Sequence, residues 1–492
     1  STLLHVLITN LALWYSPDEL EFYLVDFKKG VEFQAYATHQ LPHARVIAIE
    51  SDREFALSVL RRLDEELRRR GDMFRIAGVQ DISGWRETQS EPLPRTLLIV
   101  DEFQEFFAND DGVAQEASML LDRLVRQGRA FGMHLLMGSQ TLDGAFTLAR
   151  STLGQIGVRI ALQCAESDSY LILNEDNPAA RLLRRPGEAI YNDAGGRLEG
   201  NSPFQVAWLS DEDKDQALTQ IASLPHEPGA NSQFVFRGNV PSTMPQDSHL
   251  QSLLDGQWDP TLIHCPVFLG DPIAISDATT LQLHPSSGCN ALILGQHPES
   301  ANAILLSTLL QTACMLPPTT TASSPGLMVW IFDGRPSDAV YADRLMSMGN
   351  DLPHQVTRVT ARNLDEELNR LTQLLHARSD GVRKDRAMVL IFGLDTHRIA
   401  NLRPAEDAFA FSVDDSPTPS PNQQLAAILR DGPTVGMHSM LWFDGLNNLN
   451  RGLDRASQKE CDLKILFQMS ANDSGQLIDS TTASDLGPSR AL

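Results

Sequence analysis

The stretch Pro94–Phe107 reads "PRTLLIVDEFQEFF". Leu97–Val100 is a continuous apolar run, the pattern of a strand buried on both faces of a parallel sheet. The run ends in two adjacent carboxylates, Asp101 and Glu102. Charge at the carboxyl end of a buried strand is costly unless it binds something. That end is also where open α/β sheets take their ligands. These residues alone leave two readings open: an acidic loop that follows a core strand, or a ligand site built on a strand-end acid pair.

The opening of the chain, Ser1–Tyr15, reads "STLLHVLITNLALWY". Leu3, Leu4, Leu7, Leu11 and Trp14 recur at helical spacing. A P-loop has the form G-x-x-x-x-G-K-[ST] and sits between a strand and a helix, with its hydroxyl residue in the helix's first turn on Mg²⁺. "STLLHVLI" fits a helix that directly follows such a lysine. Ser1 is then the Mg²⁺ ligand and Thr2 lies near the α-phosphate, the glycines and lysine being absent from the 492 residues. A plain helical start is the other reading. In a P-loop NTPase the strand-end acid helps hold Mg²⁺, and a following Glu polarises the attacking water, which gives Asp101 and Glu102 a role.

The 492 residues are 42% hydrophobic and 21% charged, ordinary for a globular protein, and predict two or three domains. No apolar run reaches the roughly 18 residues a membrane span needs. Five scattered cysteines, Cys164, Cys265, Cys289, Cys314 and Cys461, show no metal-ligand spacing and read as reduced thiols. The net charge of −23 argues against a surface coated in basic patches but allows a locally basic channel.

Residues 1 to about 210 alternate apolar strands with amphipathic helices. Strands are predicted over Phe22–Asp26, Val46–Ile49, Leu97–Val100, His134–Gly138 and Val158–Gln163. A long surface helix starts at Ser51 and carries an Arg-rich end, Arg68–Arg70, read as a solvated face or a polyanion contact. Residues 211–250 are polar and rich in Pro, Gly and Ser, and read as a linker. The first pattern then returns. Gly128, Gly132, Met133 and His134 fall on Gly432, Gly436, Met437 and His438, and Asp26 falls on Asp333. "NALILGQHPESANAILLSTLL" reads as strand, P-loop-like turn and helix. There Gly295 opens the loop, but Ser300, Ala301 and Asn302 replace the Gly, Lys and Ser/Thr of a P-loop. Against Asp101-Glu102 this copy sets Gly393-Leu394, so the layout is expected without the chemistry.

Together, "STLLHVLI", "LVDFKKGVEF", "LPHARVIAI", "LLIVDEFQEFF", "LVRQGRAFGMHLLMGSQTL" and "RIALQCAESDSYLIL" resemble the FtsK/SpoIIIE family of RecA-like motor ATPases, well over residues 1 to about 210 and weakly over 260 to 480. The resemblance implies an α/β protein of two tandem RecA-like P-loop NTPase domains with mainly parallel sheets. The first covers 1–210 without its N-terminal strand and P-loop, the second is degenerate and covers 251–492, and 211–250 links them. It implies ATP and Mg²⁺ as cofactors. Ser1 and Thr2 close the Walker A motif, Asp101 and Glu102 form Walker B, and Gln140 is the polar sensor near the γ-phosphate. Asp26 and Lys28 occupy an Asp-x-Lys site beside the nucleotide. Arg159 stands where the family has an arginine that could act on a neighbouring subunit's nucleotide, although Gln163 and Tyr170 replace arginines often found nearby.

The implied activity is ATP-driven translocation of a polymer by a homo-oligomeric, hexameric ring. The polymer expected first is double-stranded DNA, as in the chromosome-pumping branch. EccC-like members, which carry tandem and partly degenerate domains, handle secreted proteins in type VII secretion instead. A non-hydrolysing scaffold is the third alternative. The implied location is cytoplasmic, with a membrane tether through further N-terminal segments left open. The 492 residues by themselves are expected to bind ATP poorly at both sites and to hydrolyse almost none.

Overall fold

The computed structural model describes residues 2–28, 32–89, 91–141, 150–224, 233–238, 248–256, 265–276, 278–316, 326–336, 338–339, 341, 343–381, 387–404, 419–487 and 490–492. The chain divides into two compact units, Ser1–Val240 with Pro272–Asp277, and Pro241–Asp271 with Ala278–Leu492.

In the first unit α1 (Thr2–Trp14) precedes β1 (Leu20–Asp26), β2 (Ala44–Ile49), α2 (Arg53–Ala77), β3 (Arg95–Asp101), α3 (Gly112–Gln127) and β4 (Met133–Met137). Successive side chains of a strand point to opposite faces, and β1 shows the result. Tyr23 and Val25 join the core under α2 and α3, while Phe22 and Leu24 join the core under α1. The strand is buried throughout, as an apolar run between two helical layers must be. Helix α2 ends where Gly78 takes a left-handed φ of 71°, and the Val79 N–H returns to the Phe74 carbonyl, a Schellman closure. Asp111 caps α3 by accepting from the Ala114 N–H.

The Arg68–Arg70 run is neither a free basic face nor fully solvated. Arg70 is fully buried and bonds Glu66 Oε1 at 2.7 Å, the Phe131 carbonyl at 2.9 Å and Thr96 Oγ1 at 3.1 Å. Arg69 forks onto Glu66, and Arg68 pairs with Asp64.

Three further strands, β5 (Arg159–Leu162), β6 (Glu188–Asn192) and β7 (Asn201–Gln205), form an antiparallel sheet of their own. The stretch read as linker, 211–250, contains two elements of the first unit, α4 (Asp211–Ala222) and β8 (Phe234–Arg237). Ser210 caps α4 by accepting from the Asp213 N–H, and Leu218 and Ile221 bury against the face that α1 covers. Strand β8 extends the main sheet, whose order is β4-β3-β1-β2-β8 with every pair parallel.

The second unit opens with a short helix, Ser248–Leu254, before the antiparallel pair β9 (Cys265–Gly270) and β10 (Thr279–Leu283). There follow β11 (Ala291–Leu294), α5 (Pro298–Met315), β12 (Leu327–Asp333), β13 (Gln355–Val359), α6 (Leu364–Ser379), β14 (Met388–Leu394), α7 (Pro421–Asp431), β15 (Met437–Phe443) and β16 (Leu463–Leu466). The sheet is wholly parallel in the order β13-β12-β14-β15-β11-β16. Helix α5 covers one face, and α6 and α7 cover the other. The α/β class with parallel sheets expected from the sequence is thus observed. The run β4-β3-β1-β2 also has its counterpart in β15-β14-β12-β13.

Strand register corrects one detail of the repeat. Asp26 lies opposite Asp101, and Asp333 lies opposite Leu394. With Asp26 on Asp333, Leu394 therefore takes the place of Asp101 and Asp395 that of Glu102. Glu102 and Asp395 share the left-handed conformation, with φ of 57° and 46°. An apolar run matched by composition can slide by one residue, whereas paired strands cannot.

Candidate functional site at the carboxyl ends of the first sheet

Strands β1, β3 and β4 end side by side and bring five of the sequence-predicted residues together. Asp26 and Asp101 are in-register neighbours. The chain leaves β1 in a tight turn in which the Lys28 N–H donates to Asp26 Oδ1 at 2.8 Å. Lys28 Nζ then stands 3.9 Å from Glu102 Oε1, with the lysine half exposed and the glutamate buried. The Gln140 backbone N–H donates to Glu102 Oε2 at 3.2 Å. It is the backbone of Gln140 that makes this contact, and its side chain is exposed.

Two residues at this site escaped the sequence reading. Gln104 Nε2 donates to Glu102 Oε2 at 2.7 Å, and Ser139 Oγ donates to Gln104 Oε1 at 2.6 Å. They tie the end of β4 to the carboxylate that follows β3. Their place two residues beyond Glu102 and one before Gln140 was the available signal. Gly138 completes the approach, because a Cβ built there would lie 2.9 Å from Asp101 Oδ1.

Electrostatically the site is under-compensated. Burial, with Asp101 nearby, pushes the Asp26 carboxyl up to about 6 against the opposing Lys28 hydrogen bond. Asp101 is also raised, first by burial and then by Glu102. Asp26 Oδ2 is buried with no hydrogen-bond partner. An orphaned oxygen beside a second raised carboxyl is the environment that a bound cation relieves. Among the described residues no three His, Cys, Asp or Glu side chains converge into a metal cage. Mg²⁺ does not need one, since it is held through one or two carboxylates plus phosphate oxygens and water. Asp26 and Asp101 fit that requirement.

The remaining predicted residues lie elsewhere. Ser1 is outside the described residues. Thr2 lines a cavity of about 300 Å³ with His5, Glu32, Trp208, Asp211 and Lys214. Arg159 begins β5, in the separate antiparallel sheet, and is not brought to the acid pair. Its guanidinium donates to the carbonyls of Leu153, Ile156 and Ile172, each at 3.3 Å, and to that of Leu173. Burial lowers its pKa. Engaged in this way it staples the small sheet to its flanking turns.

The FtsK/SpoIIIE family profile matches residues 1–143. The chain is 32% identical over 220 residues to the ESX-5 secretion system protein EccC5 of Mycobacterium marinum, covering 42% of this chain and 15% of that protein. It is 27% identical over 230 residues to the DNA translocase FtsK of Streptococcus pneumoniae, covering 44% of this chain and 28% of that protein. The matched stretches thus cover less than a third of the length of these curated relatives. Among solved structures, the cytoplasmic domain of the Thermomonospora curvata type VII secretion ATPase EccC superposes with a TM-score of 0.64 at 20% identity, over 95% of this chain and 55% of that one. ATPases 2 and 3 of EssC from Geobacillus thermodenitrificans superpose with a TM-score of 0.57 at 15% identity, over 94% and 81%. The chain has the fold of tandem P-loop ATPase domains, and its residues 1–143 are similar to the FtsK/SpoIIIE family.

Proposed function

We propose that the first unit is the ATP-hydrolysing part of an FtsK/SpoIIIE-type motor. The observation that carries this reading is the strand-end constellation of Asp26, Asp101 and Glu102, with its orphaned buried oxygen. Phosphoryl transfer asks a protein for positioning and charge neutralisation. Asp26 and Asp101 would hold Mg²⁺, whose role when bound is to neutralise charge on the phosphates. Glu102, fixed by Gln104 and by the Gln140 N–H, would orient the attacking water.

For the polymer moved, we favour a secreted protein over DNA, reversing the order the sequence alone suggested. The tandem layout and the EccC relatives support this. So does the Arg68–Arg70 run, in which Arg70 is buried on Glu66 and the exposed Arg68 and Arg69 are each paired with a carboxylate, Asp64 and Glu66, which lowers the net positive charge offered there. The FtsK relative keeps duplex DNA as the second reading. Titrating the full-length protein with duplex DNA at several salt concentrations separates the two. A DNA motor would show a steep log–log salt dependence and DNA-stimulated ATP hydrolysis, and a secretion motor would show no stimulation.

A further inference from the structure

The turn after β12 repeats the turn after β1 with one change. The Arg335 N–H donates to Asp333 Oδ1 at 3.0 Å, as the Lys28 N–H does to Asp26. The side chains then part. Lys28 runs outward to Glu102, half exposed. Arg335 folds back, with Nε 2.9 Å from Asp333 Oδ1 and Nη2 2.8 Å from Oδ2, a bidentate fork. Its Nη1 reaches Asn302 Oδ1 at 3.3 Å. The two charged side chains are 4% and 6% exposed.

Each contact lies at a place the first copy reserves for something else. Asp333 stands where Asp26 has its unpartnered oxygen. Asn302 stands where the P-loop pattern puts the metal-binding hydroxyl. The loop itself is wound into helix. Pro298, the first residue of α5, has no N–H to offer. The Ala301 N–H, at the lysine position, is spent on the His297 carbonyl at 3.0 Å. Asn302 Nδ2 is spent on the Pro298 carbonyl at 2.6 Å.

We propose that Arg335 is a resident cation that fills the metal place of the second domain, closing that site to nucleoside triphosphates and latching the end of β12 to the first turn of α5 in a single, nucleotide-independent form. The assignment of the metal place rests on the reading given for the first site, but the latch does not. A guanidinium is permanently charged and geometrically matched to a carboxylate, so the latch needs neither ligand nor hydrolysis to stay shut. The second domain then acts as a fixed wall of the motor, indifferent to the nucleotide state of the first.

Hydrogen–deuterium exchange on the full chain tests this. In the parent protein, millimolar Mg-ATP is expected to leave exchange over residues 298–303 unchanged. Protection of that segment by Mg-ATP would overturn the proposal. Protection or its absence over residues 101–104 reports on the first site separately, so the two readings fail independently. Arg335→Gln is expected to speed exchange over 298–303 at least tenfold, and millimolar Mn²⁺ to slow it again by occupying the freed Asp333. Unchanged exchange in this variant would also overturn the proposal. Should the unpaired Asp333 prevent folding, Asp333→Asn/Arg335→Gln removes both charges. It is expected to exchange tenfold faster with no response to Mn²⁺, and parental exchange there would overturn the latch.

Discussion

Asp26 and Asp101 face each other in register at the carboxyl ends of neighbouring parallel strands, and burial raises the pKa of both. A buried and a half-buried acid placed side by side, the first with an orphaned oxygen, make a site whose stability depends on what neutralises it.

The pH dependence has a definite sign. The folded pKa of Asp26, about 6, lies above the unfolded value of about 4. Between those values the folded state holds the proton more tightly, so stability falls as pH rises through the window. Its full extent is on the order of 2–3 kcal/mol. Without Mg²⁺ or nucleotide, the melting temperature of the first unit should fall as pH rises from 4.5 to 7. Asp26→Asn should flatten that slope and raise the melting temperature at pH 7. Calorimetric scans across the range check this, and a parental slope in the variant would contradict it.

Gln104 holds Glu102 from one side and Ser139 from the other. Gln104→Leu keeps the volume and removes both bonds. ATP hydrolysis by the full-length protein should drop about tenfold, the scale expected when a catalytic group loses its orienting partner. Nucleotide affinity should stay within about twofold, since the residue contacts no part of the phosphate place. Parallel turnover and binding measurements decide it.

Gly138 lies against Asp101, and its replacement by Ala puts a carbon 2.9 Å from Asp101 Oδ1. The carboxylate must swing away. Gly138→Ala should weaken Mg²⁺ dependence, shifting the Mg²⁺ concentration for half-maximal hydrolysis upward severalfold. An unchanged Mg²⁺ titration would detach Asp101 from the metal.

Arg70 is the buried hub of Glu66, Glu21 and Thr96. Arg70→Ala removes the buried guanidinium shared by Glu66, Thr96 and the Phe131 carbonyl and leaves Glu66 to Arg69 alone and Glu21 to Arg45 and Thr96, a loss of roughly 1–3 kcal/mol. The expected result is early unfolding of the first unit in urea. Reduced DNA affinity without loss of stability would mean the side chain faces a polyanion.

The sequence made some of this legible for physical reasons. Runs such as Phe22–Val25 and Leu97–Val100 are apolar at consecutive positions, the pattern of a strand buried on both faces. Other features depend on partners far along the chain. Strand β8, four residues long, has meaning only beside β2, nearly two hundred positions earlier. Helix α4 buries just Leu218 and Ile221 beneath an acidic surface, so its apolar stripe is too thin to stand out from a linker. The Val158–Gln163 strand was visible, but its membership of a separate antiparallel sheet was not. Arg159 matched a motif position, yet its partners are backbone carbonyls, which side-chain identity does not reveal. Asp395 was hidden by a one-residue slip that only register resolves.

The central claim is that hydrolysis belongs to the first sheet and that the second keeps the geometry without the reaction. Glu102 and Asp395 occupy the same place in the two sheets and share a left-handed backbone. Asp395 nevertheless follows Leu394 where Glu102 follows Asp101, and it stands in a sheet whose Asp333 is already taken by Arg335. The most direct measurement is ATP turnover by the full-length protein carrying Glu102→Gln or, separately, Asp395→Asn. Glu102→Gln should lose about a hundredfold or more with nucleotide binding retained, and Asp395→Asn should stay within about twofold of the parent. A loss in Asp395→Asn comparable to that in Glu102→Gln would contradict the account.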